Sequence, residues 1–104
     1  SSNTYYNWQL GDAVQVNNGF TITPSTAAGG TTFSTAALTI LNTGNVGIGT
    51  TNPGAKQTIA GGDVYVASQG SGIILKDNSD GTCRRVILSG GSLSVSGVIA
   101  CPSS

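Results

Sequence analysis

The chain has 104 residues, a formal net charge of zero and only 8% charged side chains, against about 25% in an ordinary globular domain. Asp12, Asp63, Asp77 and Asp80 balance Lys56, Lys76, Arg84 and Arg85, so no basic patch exists to neutralise phosphates, and no nucleic-acid partner is expected. His, Glu and Met are absent, which removes the commonest general base and every paired-carboxylate arrangement except one built from scattered aspartates.

What remains is 38% apolar residues in short alternating runs, with 16 glycines and abundant Ser, Thr and Asn between them. Disorder goes with high charge and low hydrophobicity, so this composition predicts ordered β structure. The apolar runs fall far short of the ~20 residues of a membrane span. A chain of this size with few large apolar residues builds only a thin core by itself and is better suited to packing against copies of itself. No signal peptide is recognisable, and the abrupt start at Ser1 is that expected of a processed or trimmed product.

Residues 1–18 hold Tyr5, Tyr6 and Trp8, half of all the aromatics. Two readings stand side by side: a strand docked on its own domain, or an arm docked on a neighbouring subunit by strand addition. Stacking on sugar rings is a further use of such a cluster. Val14 and Val16 alternate with polar residues, and Asn17-Asn18-Gly19 is a turn signal. Phe20 and Ile22 then predict a second strand, closed by Pro24, so the pair reads as a hairpin. Ser25 to Thr32, with Gly29-Gly30 at its centre, predicts a flexible loop or weak boundary. Structure restarts at Phe33.

Leu38, Ile40 and then Val46, Ile48 lie at period two around the turn Asn42-Thr43-Gly44-Asn45. Gly47 and Gly49 flank Ile48. Glycine weakens a strand, so its repetition predicts that another backbone passes close to this face. Thr50-Thr51-Asn52-Pro53-Gly54 ends the unit. The string from Gly44 to Pro53, followed by Ala55-Lys56 and Ile59-Ala60-Gly61, resembles the GNVGIGTTxPxxKLxVxG segment of phage tail-fibre proteins and of large surface proteins of environmental bacteria. Gln57 stands where that family usually has an apolar residue. The resemblance covers about a quarter of the chain and implies part of a β-rich, usually trimeric, extracellular fibre, without catalysis or cofactor.

Beyond Gly62, Val64 and Val66 alternate around Tyr65. Ser68 to Gly72 is a loop, Ile73 to Lys76 a short buried strand, and Asp77 to Gly81 a turn. Arg85 to Leu88 and Leu93 to Ile99 are strands joined through Ser89 to Ser92, with Leu93, Val95, Gly97, Ile99 and Cys101 on one face of the last. Gly72-Ile73-Ile74-Leu75-Lys76, Asp80-Gly81-Thr82-Cys83 and Cys101-Pro102 together resemble a closing module found after the GIGTT segment in some environmental-bacterial surface proteins. The turn from Asp77 faintly resembles a calcium loop, but it lacks a closing Glu and reads as an Asx-type hairpin turn.

Two cysteines cannot by themselves close a structural zinc site. An even count in a secreted chain predicts a disulfide, Cys83–Cys101. A simple hairpin forbids it: with Leu88 opposite Leu93, Cys83 faces Val98, and Cys101 lies about 10 Å further on and on the opposite face. The bond then requires a β-bulge at Gly90, Gly91 or Gly97, a C-terminus folded back at Pro102, or a bond between subunits.

The sequence therefore predicts an all-β protein of short Gly-rich antiparallel strands and hairpins, completed by packing between subunits as a trimeric fibre or a strand-exchanged filament. It is read in two parts, residues 1–32 as a strand arm and hairpin and residues 33–104 as the β domain. The expected role is a structural, self-associating extracellular fibre subunit. The alternatives are a pilus-like subunit polymerising by N-terminal strand donation and a glycan- or receptor-binding fibre tip.

Overall fold

The structure is a computed structural model, and it describes residues 4–103. Among these the protein is all-β, without a helix, and eight strands form two sheets. The chain divides into two compact units, Ser1–Val64 and Tyr65–Ser104. The Gly29-Gly30 segment is internal to the first unit, because strands before and after it pair in one sheet.

The first unit is a five-stranded sheet in the order β1 (Tyr6–Asp12), β2 (Gly19–Ala28), β3 (Leu38–Leu41), β4 (Val46–Ile48) and β5 (Gln57–Ile59). Its first three pairings are antiparallel, as the hairpin signals predict. The β4–β5 pair is parallel, which the expectation of antiparallel strands throughout did not include. Parallel neighbours normally need a crossover of a dozen or more residues. Here residues 49–56 suffice because the turn is held from within: Asn45 Nδ2 donates to the Pro53 carbonyl at 3.1 Å, and the Ala55 N–H donates to Thr58 Oγ1 at 3.2 Å.

Pro24 does not close β2, which continues to Ala28. The Ala37 N–H donates to the Ile22 carbonyl at 2.9 Å, so Ile22 bonds towards β3. Pro24, two residues on, aims its nitrogen to the same side, beyond the last β3 pairing at Ile22–Leu38. Its missing N–H is therefore not needed. The stretch expected to be a loop from Ser25 stays in the sheet as far as Ala28. There β1 is bulged between Tyr6 and Trp8, and Ser25 fills the irregularity. Its hydroxyl accepts the Asn7 N–H at 3.0 Å and donates to the Ala27 carbonyl at 2.7 Å.

Val14 and Val16 belong to no strand. They lie in the connection after Asp12, which folds back over one sheet face. A Cβ on Gly11 would come within 2.9 Å of the Val14 Cβ, and one on Gly19 within 2.7 Å of the Val16 Cγ1. Gln15 Nε2 donates to the Phe33 carbonyl at 2.9 Å and joins this connection to the segment around buried Ala36. The face so covered carries the cross-strand row Gly11–Thr21–Thr39–Gly47–Thr58. The largest fully buried side chains of the described structure are accordingly Thr21, Thr23 and Thr39, each without a hydrogen-bond partner for its Oγ1. An unsatisfied buried hydroxyl costs about 1–3 kcal/mol. Thr21→Val is therefore expected to stabilise the fold by about 1 kcal/mol, raising Tm by several degrees. A lower Tm in calorimetry would show that the hydroxyl is used.

The second unit holds β6 (Ile73–Lys76), β7 (Cys83–Ser89) and β8 (Ser92–Val95) in one antiparallel sheet of that order. The β7–β8 turn is a two-residue one, with Gly90 and Gly91 at φ 58° and 81° as the primed turn requires. The β6–β7 turn is the Asx type. Asp77 Oδ1 accepts the Ser79 N–H at 2.7 Å, and Asp80 Oδ1 accepts the Thr82 hydroxyl and N–H at 2.7 and 2.9 Å. These bonds from Thr82 hold the exposed Asp80 carboxyl below its ordinary value. No cluster of three metal-ligating side chains occurs among the described residues. Val64, Tyr65 and Val66 form no strand and are exposed; an alternating pattern needs a paired strand, and no described strand pairs with them. Ile73 and Leu75 are exposed rather than buried, since β6 pairs on one side only and nothing covers their face.

Candidate functional site

The functional candidates in this chain are surfaces. In the first sheet, every cross-strand row alternates with its neighbour in polarity. Leu10 pairs with Ile22, Ile22 with Leu38, Leu38 with Ile48, and Ile48 with Ile59, giving an aliphatic row across all five strands. Beside it runs Asp12–Phe20–Ile40–Val46–Gln57, and on the other flank Trp8 pairs with Pro24. Cross-strand partners share a face, so these residues form one apolar surface. Much of it is open: Leu10 is 68% exposed, Trp8 59% and Ile48 43%, while Ile22, Leu38, Val46 and Ile59 are half-buried. The connections after β1, β2 and β4 all lie on the opposite, threonine face. The sheet is thus inverted relative to an ordinary soluble fold, with threonine inside and leucine, isoleucine and tryptophan outside.

The sequence-predicted residues distribute over this geometry as follows. Tyr6 and Trp8 sit on β1, whose backbone docks on β2 of its own chain, while the side chains of Tyr5, Tyr6 and Trp8 remain exposed. Residues 1–3 of the proposed arm lie outside the described residues. Gln57 takes its place on the apolar face, at the end of a row opposite Asp12. Gly47 is buried on the threonine face, where an added Cβ would meet the Thr50 carbonyl oxygen at 2.5 Å. Gly49, at φ 75°, has its Cβ direction blocked by the Ala60 carbonyl. The backbone close to each glycine belongs to the same chain.

Cys83 and Cys101 form an intrachain disulfide with a Cα–Cα distance of 5.2 Å. The register expected from the simple hairpin holds at Leu88–Leu93 and Val86–Val95. It then slips by one residue, because Cys83 bridges Ile99 and not Val98. Ser96 makes the slip: its Oγ accepts the Arg85 N–H at 2.8 Å and donates to the Gly97 carbonyl at 2.8 Å. One extra residue moves Ile99 and Cys101 off the face of Leu93 and Val95 and onto that of Cys83. The bond forbidden in a regular hairpin becomes short. Ser25 and Ser96 thus act alike, each replacing a lost ladder partner with a hydroxyl. Neither was legible beforehand, since a serine in a polar stretch carries no distinctive signal.

The second sheet repeats the exposed apolar face. Ile73–Val86–Val95 forms a row, with Leu88–Leu93 beside it. Leu88 and Leu93 are among the most exposed large apolar residues described. Leu75, Arg84, Val86 and Val95 on this face line an open depression of about 320 Å³, with Lys76, Asp77 and Asn78 at its edge. No helix among the described residues is long and apolar enough to cross a membrane. No family model, curated protein or solved structure matches the chain.

Proposed function

We propose that the protein is a self-associating structural subunit of an extracellular β-rich fibre. The observation that carries this reading is the inverted burial: both sheets hold their large apolar side chains outward. Large outward apolar faces rimmed by polar residues mark interaction surfaces. A subunit with one such face in each of its two units has two places at which to meet a neighbour, and contacts that do not close on themselves build filaments. The neutral surface removes the long-range repulsion that keeps charged proteins apart. The Cys83–Cys101 bond is compatible with an oxidising compartment. The resemblance of residues 44–61 to tail-fibre and surface-protein segments points the same way. Sedimentation of the purified chain across a wide concentration range tests the reading, with negative-stain micrographs of the heaviest fraction. Dimers, trimers, higher oligomers or filaments are expected. A 10.3 kDa species at every concentration would overturn it.

A further inference from the structure

Resting on that reading, we infer that the apolar face of the five-stranded sheet is the self-association surface, and that its occupant is the same face of a second copy. The face has the anatomy of an interface. Its centre is the aliphatic row Leu10–Ile22–Leu38–Ile48–Ile59, and its only ionisable group, Asp12, stands at a corner beside Phe20 with Gln57 at the far end of the same row. An apolar centre with a polar rim is what protein interfaces show. A charged or strongly polar partner would find nothing to pair with across the centre. A copy of the face finds aliphatic groups opposite aliphatic groups in any orientation about a twofold axis, which an isologous contact requires.

The extent of the face suits a concentration-dependent contact. Five strands at about 4.8 Å span about 24 Å, the two five-strand rows span about 13 Å along them, and the Trp8–Pro24 pair extends two of the strands by about 7 Å more. That footprint of roughly 400 Å² lies within the range for the largest apolar patches on monomers, ~300–600 Å², which are often functional. It is about half of the ~800 Å² that each partner contributes to a stable interface, as a weak, reversible contact requires. Two such faces stack about 10 Å apart as a sandwich shared between chains, each supplying the apolar layer the other lacks.

Trp8, the sole tryptophan, lies on the face and reports on its cover. The experiment follows Trp8 emission and iodide quenching in the full chain while sedimentation reads mass at the same concentrations. The expected result is a blue shift and loss of quenching that rise together with mass. Leu10→Lys, at a position exposed in the free chain, should raise the midpoint concentration by about a hundredfold or more, because a twofold contact loses the leucine twice. Its circular dichroism should be unchanged. Leu93→Lys, in the second sheet, should leave the Trp8 transition in place. Ile40→Lys provides a second substitution on the face should Leu10→Lys fold poorly. Growth in mass with Trp8 still open to iodide would overturn this inference and leave the fibre reading intact. A Trp8 shielded in the monomer would overturn it too, since the face would then be covered within one chain. The absence of any growth in mass would overturn both.

Discussion

Breaking the Cys83–Cys101 bond is expected to unfold the second unit while the first sheet survives. Residues 65–104 hold three short strands, and Cys83 is the only buried apolar side chain among its described residues. Units near 40 residues rarely fold without a covalent or metal staple. The bond closes a loop of sequence separation 18, worth about 3 kcal/mol in the chain-entropy model. That is a large share of what three strands of this length supply. The two single variants should differ. Cys101→Ser loses the staple and leaves Cys83 as a small buried thiol, a tolerable core group. Cys83→Ser loses the staple and also buries a hydroxyl at a site 3% exposed, adding about 1–3 kcal/mol if it finds no partner. Hydrogen exchange read per strand checks both. Protection should vanish from residues 73–95 on reduction and persist at residues 19–28 and 38–48. Protection of β7 that survives reduction would show that the sheet stands without its staple.

Gly49→Val is expected to be the most damaging single substitution in the first unit, despite the preference of valine for strands. Two costs combine there. Gly49 is at φ 75°, a conformation that penalises any residue with a Cβ by about 1–2 kcal/mol. Its Cβ direction also runs into the Ala60 carbonyl, which is fixed in place because the Ala60 N–H donates to the Ile48 carbonyl at 3.0 Å. Overpacking against backbone adds about 1–3 kcal/mol. Gly47→Val meets only the second cost, from the Thr50 carbonyl and Thr50 methyl, and should destabilise less. Thermal unfolding of the two variants in parallel gives the order. Equal losses would mean that the positive φ contributes nothing, and no loss at Gly49 would remove the close approach altogether. Because the backbones in question belong to the same chain, the effect should be present at dilutions where no assembly occurs.

The sequence by itself determined the β class, most turns and the positions that tolerate no side chain. These are local matters. Period-two alternation, Asn-Gly and Gly-Gly turns and the Gly-Ile-Gly strand act through a few neighbouring φ and ψ angles, and the residues that set them are adjacent in the chain. The outward sense of the strands was decided only by tertiary structure. Alternation says that Leu38 and Ile40 share a face but not whether that face is covered, and here the connections pack on the threonine side because Gly11, Gly19 and Gly47 let them approach there. The parallel partner of β4 was likewise invisible, since it depends on Asn45 reaching the Pro53 carbonyl across a turn. So was the disulfide register, in which one hydroxyl, that of Ser96, takes a ladder bond and shifts Cys101 onto the face of Cys83. Strand faces have period two, so a single extra residue exchanges inside for outside, and composition does not record where that residue falls.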